Sequence, residues 1–353
     1  MDFKTTNKFP ILLAILAAVC YGVSSPAAKL LLKELSPVFM ASLLYLGAGV
    51  GMFTVRTVTN IKKRENKEAV ITKKELPFMV GMIILDIAAP VLFMLGLTMT
   101  TPATVSLLNN FEIVATSVIA LAIFKESIGK RLWTAISLII LSSILLSVED
   151  LSSFSLSIGA IFALLACVCW GFENNCTRML SLKDPLQIVI IKGLGSGIGS
   201  LLIAFFTKSL SANAIYICFA LLLGFFAYGL SIYFYILAQR ELGAARTSAY
   251  YAIAPFIGVG LSFVLFRQNI TGTFILALAI MIFGTYFAAF ENHEHIHNHE
   301  RIEHEHRHNH TDGHHNHSHD FPVKDHSHKH THEALTHEHS HTPDMHHVHT
   351  HSQ

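Results

Sequence analysis

Apolar and polar segments alternate along the first 292 residues, and the apolar runs reach the length of a membrane-spanning helix. Such a helix needs about 20 predominantly apolar residues. The runs begin near Ile11, Pro37, Leu76, Thr101, Arg131, Ser157, Pro185, Ala212, Gly243 and Thr271. Because some connections, such as residues 98–102, are very short, neighbouring helices are expected to form antiparallel hairpins. The pattern predicts an all-α polytopic membrane protein with about ten transmembrane helices.

Lysine and arginine are distributed unevenly between the loops. The odd-numbered loops hold only Lys33, Lys208 and Arg267. The even-numbered loops hold Arg56, Lys62, Lys63, Arg64, Lys67, Lys73, Lys74, Lys125, Lys130, Arg131, Arg178, Lys183, Arg240 and Arg246. Since basic residues accumulate in cytoplasmic loops, the even loops and both termini are expected to be cytoplasmic. We expect a multi-pass protein of the plasma membrane, surrounded by the lipid bilayer.

Three short motifs occur twice, in the same order, in the two halves of the chain. They are AAVCYG at 17–22 with ACVCWG at 166–171, LGAGVG at 46–51 with LGSGIG at 194–199, and Phe-Lys-Glu at 124–126 with Phe-Arg-Gln at 266–268. The repetition predicts one five-helix repeat in residues 1–150 and a second in residues 151–292.

An odd number of spans in each repeat makes the second half enter the membrane from the opposite side. Inverted repeats with a site between them are a recurring plan of secondary transporters, because exchanging two conformations opens one side or the other. Gly47 and Gly51 are four residues apart, as are Gly195 and Gly199. Small residues at this spacing allow close helix packing in lipid.

Several further features stand at particular places in the two halves. They are Tyr21-Gly22 with Trp170-Gly171, Asn174-Asn175 followed by Arg178, Lys29 in the place of Arg178, Ala-Pro-Phe at 254–256, and Gly129 with Gly272. With the five-plus-five repeat, the chain resembles the drug/metabolite transporter (DMT) superfamily, of the EamA-like type, over about residues 10–290. The resemblance implies two EamA-like repeats and secondary transport of small metabolites, such as amino acids or nucleotide sugars. Ile113 stands where such proteins usually have a proline in the fourth helix.

Charged residues inside apolar runs are the candidates for a transport site, because charge in a membrane span is costly and usually functional. Asp86, Glu112, Glu173, Lys192 and Lys29 lie in or near the ends of such runs. We interpret Glu112 as a substrate-binding or proton-coupling carboxylate, and Asn109 as its neighbour on the same helical face. The alternative is a structural carboxylate that is paired with a lysine or a backbone group.

Four other residues complete the predicted substrate-binding or coupling set. Glu173 precedes Asn174 and Asn175, where a half-broken helix could bind polar groups. Lys192 is interpreted as the counter-charge of a carboxylate, as a group that holds an anionic substrate, or as a lysine that extends to the membrane surface. Tyr251 either lines a cavity or packs in the core.

A histidine-rich segment follows the apolar body. All 23 histidines lie between His293 and His351. Such a polar segment is expected to form a disordered cytoplasmic tail over residues 293–353. Imidazoles are common ligands of Zn²⁺, Ni²⁺, Co²⁺ and Cu²⁺. The predicted metal-binding residues are His293, His295, His297, His299, His304, His306, His308, His310, His314, His315, His317 and His319.

Three roles remain open for this tail. In the first, the tail buffers, senses or delivers a divalent metal for a metabolite carrier. In the second, it belongs to a carrier whose cargo is that metal. In the third, it forms part of a membrane-bound metal sensor. A solvated tail without function is the fourth interpretation. The carrier itself is expected to need no cofactor.

Composition excludes several other classes. A net charge of +1 argues against nucleic acid as a partner, since phosphate binding needs a basic surface. The sequence contains neither a G-x-x-x-x-G-K-[ST] loop nor an H-E-x-x-H motif, so an enzyme is not expected. The five cysteines lie in apolar runs and are interpreted as small buried hydrophobes. The expected partner is a small-molecule substrate, and a homodimer is left open.

Overall fold

The computed structural model describes residues 8–61, 71–124, 128–150, 155–180, 183–242 and 244–289, and in the tail residues 294–299, 302–308, 326–332 and 335–340. In this part of the chain, ten helical segments are long and apolar enough to cross a membrane. The predicted number of spans is thereby confirmed. The helices begin within two residues of the predicted starts, because length and hydropathy alone define a membrane span.

The first five spans are built from seven helices, since the first and fourth spans are each divided in two. The helices are α1 (Phe9–Gly22), α2 (Ser24–Leu31), α3 (Pro37–Ile61), α4 (Leu76–Met99), α5 (Pro102–Leu108), α6 (Phe111–Phe124) and α7 (Lys130–Ser147). A 3₁₀ turn at Lys73–Glu75 precedes α4, and Thr72 caps it by accepting a hydrogen bond from the Lys74 amide. The short strands β1 (Val148–Asp150) and β2 (Ser155–Leu156) pair where the two halves join.

The second five spans follow the same plan. Their helices are α8 (Ile158–Arg178), α9 (Pro185–Phe206), α10 (Ala214–Gly224), α11 (Ser231–Leu242), α12 (Ala244–Tyr251), α13 (Ala254–Phe266) and α14 (Gly272–Ala289). A π-helical turn, Phe225–Leu230, joins α10 to α11. The eighth span is therefore continuous but locally widened, whereas the ninth is divided between α12 and α13.

Side chains next to the helix starts define several of these boundaries. The first amides of a helix lack partners within it, and in a membrane protein little water can replace them. The side chains of Thr101, Ser157 and Asp184 accept hydrogen bonds from the amides of α5, α8 and α9 respectively. Proline also lies in the first turn of α5 and α9, where its missing amide hydrogen costs nothing.

The fourth span is interrupted at Asn109 and Asn110, close to mid-length. The Glu112 amide donates to the Asn109 carbonyl at 3.1 Å, and the Ile113 amide donates to the Asn110 carbonyl at 3.0 Å. These bonds reach back three residues instead of four, so the chain makes a tight turn here. The Asn110 side chain supports the turn by donating to the Leu107 carbonyl at 3.1 Å. The interruption therefore forms without the usual proline, because asparagine offers the backbone other hydrogen bonds.

The most extensive helix contacts are symmetric between the two halves: each has an equivalent made by the corresponding helices of the other half. The helix α4 packs on α8, and the equivalent helices α11 and α1 also pack together. Helix α3 packs on its own equivalent, α9, and α7 packs on its own equivalent, α14. Contacts between the halves thus dominate the bundle, and a site at its centre is shared by both.

Glycines bring α3 and α9 into backbone contact. A Cβ atom added to Gly193 would lie 2.4 Å from the Gly49 nitrogen, and one added to Gly49 would lie 2.6 Å from the Leu194 nitrogen. The glycines singled out by their spacing contact other helices in equivalent ways. Gly47 and Gly51 face α10 and the π-helical turn, whereas Gly195 and Gly199 face α4. These contacts agree with the predicted packing role.

Four short strands lie in the histidine-rich tail. They are β3 (Glu294–His299), β4 (Ile302–His308), β5 (His326–His332) and β6 (Leu335–Ser340). Strand β3 pairs antiparallel with β6, and β4 pairs antiparallel with β5. The alternation of histidine with other residues suits the two-residue period of a strand. The rest of the tail lies outside the described residues, and the disorder predicted for the tail stays a prediction.

The glycine contact between α3 and α9 leads to a test of stability. Replacing Gly193 with alanine should cost about 1–3 kcal/mol, because the added methyl group meets backbone atoms that cannot rotate away. The measurement is the thermal unfolding midpoint of the purified protein in detergent. Gly260→Ala is the matched control, since nothing lies within 4 Å of its added Cβ, and its midpoint should not fall. Equal midpoints for the two variants would contradict the close contact.

Candidate transport site

A lysine shared by two carboxylates lies between the two halves of the bundle. The Lys192 Nζ atom is 3.1 Å from Asp86 Oδ2 and 3.0 Å from Glu173 Oε1. Asp86 is on α4, Glu173 is on α8 and Lys192 is on α9. Asp86 is 0% exposed and Glu173 is 1% exposed. Of the roles predicted for Lys192, the structure therefore shows the counter-charge, and it serves two carboxylates. We call these three residues the charge triad.

Two hydroxyl groups complete the surroundings of the carboxylates. The Tyr45 hydroxyl donates to Asp86 Oδ1 at 2.8 Å, and the Thr177 hydroxyl donates to Glu173 Oε1. Tyr45 comes from α3, so the charge triad is held by four helices. Neither Tyr45 nor Thr177 was predicted as a site residue, because their roles depend on contacts between distant parts of the chain.

Glu112 has a different environment from the charge triad. Asn174 donates to Glu112 Oε1 at 2.7 Å and to the Thr116 hydroxyl at 3.1 Å. Glu112 and Asn174 keep part of their surface accessible, unlike Asp86 and Glu173. Among the residues that the structure describes, Glu112 forms no ion pair with lysine or arginine. Glu112 and Asn174 thus form a carboxylate–amide pair between the fourth and sixth spans, and part of the surface of each residue is accessible.

Asn109 reaches another part of the bundle. Its side-chain amide donates to the Tyr21 hydroxyl on α1 at 3.1 Å, whereas Glu112 contacts α8. Asn109 and Glu112 thus have different hydrogen-bond partners, and their position on one helical face stays a prediction. Asn109 Oδ1 and Ser106 Oγ are buried without a hydrogen-bond partner, and both residues line a small polar cavity beside Tyr21.

Five tyrosines form a continuous row through the bundle. The ring centroids are 5.4 Å apart for Tyr45 and Tyr228, 6.0 Å for Tyr228 and Tyr21, 5.9 Å for Tyr21 and Tyr251, and 5.0 Å for Tyr251 and Tyr235. These distances are typical of aromatic pairs in contact. We call this set the tyrosine row. It includes Tyr251, the one member that the sequence placed in the candidate site.

The tyrosine row and the charge triad are connected through Glu112. The Glu112 carboxylate interacts electrostatically with Tyr21, Tyr228, Tyr235 and Tyr251. It also interacts electrostatically with Glu173 and Lys192 of the charge triad. The structure therefore brings Glu112, the charge triad, Asn174 and Tyr251 into one region at the centre of the bundle.

The sixth span is uninterrupted at its paired asparagines. Helix α8 runs from Ile158 to Arg178, so the expected half-broken helix is wrong. The Asn175 side chain donates to the Gly171 carbonyl at 2.8 Å and to the Thr116 carbonyl at 3.2 Å. The asparagine side chains thus join α8 to α6 while the helical backbone keeps its own hydrogen bonds.

Lys29 closes the end of α4. Its ammonium group donates to the carbonyls of Leu97, Thr98 and Thr100. A cation is favourable at the carboxyl end of a helix, where backbone carbonyls lack partners. Lys29 therefore holds the end of a span and does not join the charge triad.

A cavity of about 530 Å³ opens between the beginnings of α4 and α9. Its lining includes Thr72, Met79, Gln187 and Ile191. Ile191 directly precedes Lys192 in the sequence, so the cavity lining and the charge triad share helix α9. Nearby, the ion pair of Lys183 with Glu75, at 3.4 Å, connects the beginnings of the two spans.

The predicted metal ligands of the tail fall into two groups. His295, His297, His299, His304, His306 and His308 lie on strands whose backbone is described. His293, His310, His314, His315, His317 and His319 lie outside the described residues. Among the residues that the structure describes, no group of three or more His, Cys, Asp or Glu side chains is placed to hold a metal ion. Metal binding by the tail stays a prediction.

Comparison with known proteins gives consistent matches. The EamA-like transporter family matches residues 8–148 and 157–290. An uncharacterised transporter of Methanothermobacter thermautotrophicus is 25% identical over 288 residues, which are 77% of this chain and 83% of that protein. The uncharacterised transporter YyaM of Bacillus subtilis is 24% identical over 271 residues, which are 74% of this chain and 86% of YyaM.

A solved structure supports the fold alone. One crystal structure of a protein has a TM-score of 0.57 to this chain, at 14% sequence identity. The match covers 78% of this chain and 95% of the other. At this identity, the likeness concerns the arrangement of helices and carries no information on cargo.

The charge triad leads to a second test of stability. Lys192→Met removes the ammonium group from two buried carboxylates and should destabilise the protein by about 3–5 kcal/mol at neutral pH. The loss should shrink in acid, because protonated carboxyl groups no longer need a counter-charge. The measurement is the unfolding midpoint as a function of pH. Lys33→Met, at an exposed lysine, is the control and should have little effect. A pH-independent loss would contradict the electrostatic cause.

Proposed function

The chain belongs to the EamA-like transporter family, and we propose that it is a proton-coupled secondary carrier of small metabolites in the plasma membrane. The family and the ten apolar helices make it a multi-pass membrane transporter of small substrates. The observation that carries the finer proposal is Glu112, a carboxylate at mid-span with an amide partner and an accessible surface.

Alternating access follows from the arrangement of the halves. Each half contributes five spans, and an odd number inverts the second half relative to the first. The equivalent contacts made by corresponding helices of the two halves support this inverted relation. In this proposal, a cargo at the centre meets one side of the membrane when the halves rock one way and the opposite side when they rock back. Both termini are proposed to be cytoplasmic, from the basic even loops.

The cargo is proposed to carry a positively charged group. Two observations support this proposal: Glu112 has the Asn174 amide as its partner, and its carboxylate interacts electrostatically with tyrosines of the tyrosine row. Aromatic faces attract cations, and a carboxylate gives such a cation a specific partner. Small amines, including amino acids, fit this chemistry better than phosphorylated metabolites, whose negative charge Glu112 would repel.

We further propose that the tail binds divalent metal as an accessory to transport. The 23 histidines of residues 293–351 carry this proposal. Metal as the cargo is the second candidate, but the ten spans contain no histidine. A sensor without transport is the weaker alternative, because a sensor has no need of two interchangeable halves.

The role of Glu112 in transport is tested by uptake into proteoliposomes with a pH gradient. Purified protein should accumulate at least one labelled amine from a panel of amino acids and polyamines. Glu112→Gln should lower the initial rate at least about tenfold, because the contact between cargo and carboxylate is then lost. Glu34→Gln, at an exposed glutamate, should transport like the unmodified protein. An unchanged rate for Glu112→Gln would remove Glu112 from the cargo site.

The role of the tail is tested separately by truncation after Asn292. The full chain should bind several equivalents of Zn²⁺ or Ni²⁺ in a calorimetric titration, and the truncated chain should not, because it lacks all the histidines. Amine uptake should persist in the truncated protein. Accumulation of Zn²⁺ in proteoliposomes that contain the full chain would favour the metal carrier instead.

A further inference from the structure

The charge triad contains more negative than positive charge. Asp86 and Glu173 share the single ammonium group of Lys192, at 3.1 Å and 3.0 Å. Among ion pairs between described residues, Lys192 is the cation that contacts either carboxylate. With both carboxylates ionised, the cluster carries a net charge of −1. The Tyr45 and Thr177 hydroxyls stabilise the oxygens they bind, but neutral donors leave this net charge unchanged.

The excess charge lies well inside the membrane. Lys192 is seven residues from the start of α9 at Pro185, which is about 10 Å at the rise of an α-helix. Asp86 is ten residues from the start of α4 at Leu76, which is about 15 Å. An uncompensated charge at such depth is costly, even when hydrogen bonds reach it. A proton on one carboxylate makes the cluster neutral at the smallest structural cost.

The other titratable groups around the triad make this imbalance larger or leave it unchanged. Glu112 adds a further negative charge within electrostatic reach of Glu173 and Lys192. Cys176, on α8, interacts with both triad carboxylates. Tyr45, on α3, faces both carboxylates, and Tyr228, in the π-helical turn, faces Asp86. None of these groups supplies a positive charge.

We propose that Asp86 and Glu173 together bind one exchangeable proton. With this proton bound, the two carboxyl groups and Lys192 form a neutral cluster. The proton site is distinct from Glu112. The proton joins a carboxylate oxygen and leaves to water without any other bond being broken. The cavity lined by Gln187 and Ile191 lies along α9, the helix that carries Lys192.

The proton site and the cargo site are linked electrostatically. This step rests on the function proposed above, which places the cargo at Glu112. Asn174 follows Glu173 on α8 and donates to Glu112, so the two sites are separated by one side chain. A cargo amine at Glu112 cancels the negative charge that favours the proton. Because linkage is reciprocal, proton and cationic cargo each weaken the binding of the other. The carrier therefore exchanges protons for cargo.

The test is infrared spectroscopy of the full-length protein in lipid nanodiscs across the neutral pH range. A protonated carboxyl group has a C=O stretching band that a carboxylate lacks. The unmodified protein should show one such buried group at neutral pH. Asp86→Asn and Glu173→Gln should each remove it, because the remaining carboxylate then pairs with Lys192. Lys192→Met should show two protonated groups, and Glu34→Gln should match the unmodified protein.

The Glu112→Gln variant separates the two sites without any cargo. It should keep the band but lower the proton affinity of the triad at least about threefold, because a nearby negative charge is lost. The proposal is overturned if the unmodified protein lacks the band. It is also overturned if the band disappears in Glu112→Gln and persists in Asp86→Asn and Glu173→Gln, since the proton would then be on Glu112.

The measurement is independent of transport, so its failure is distinguishable from failure to find a cargo. Size-exclusion chromatography shows whether each variant is folded. If Asp86→Asn does not fold, Glu173→Gln and Lys192→Met carry the test with the same expected and contradicting results.

Discussion

Charge compensation in a medium without water is the constraint on which the centre of this protein depends. Asp86 and Glu173 come from different halves of the chain, and neither can be buried without Lys192. The lysine therefore acts at once as an electrostatic partner and as a connection between α4, α8 and α9. Backbone polar groups obey the same constraint, which explains the side-chain caps at helix starts and the three carbonyls that Lys29 covers.

The interior has two parts with different physical character. The two carboxylates of the charge triad are deeply buried, whereas Glu112 and Asn174 keep accessible surface. A buried cluster with an unbalanced charge responds to protons. An accessible carboxylate beside aromatic faces is suited to an organic cation. The two parts adjoin along α8, where Glu173 and Asn174 are consecutive residues, so a change of charge in one part is felt in the other.

The sequence predicts the spans well because hydropathy and helix length are local properties. It also identifies Asp86, Glu112, Glu173 and Lys192, since any charge in an apolar run is conspicuous. Their partners are less accessible to this reasoning. Tyr45 and Tyr228 look like ordinary core residues until α3, α4 and the π-helical turn are packed together. The partners of Asn109 and Asn174 are also not predicted, because the Tyr21 hydroxyl and the Glu112 carboxylate belong to helices that the sequence alone does not place beside them.

The glycine contact between α3 and α9 has a mechanical consequence. Where Gly49 and Gly193 meet, two backbones touch without interlocking side chains. At such a contact the two helices can shift relative to each other without any side chain leaving the space that it occupies. The neighbouring glycines differ, because the side chains of Phe225, Ile83 and Ile87 occupy the space beside Gly51, Gly195 and Gly199. Of the tyrosine row, Tyr45 lies at this contact, whereas Tyr21, Tyr235 and Tyr251 do not. On the proposed function, substitutions at these three can therefore alter cargo preference while the contact between α3 and α9 is preserved.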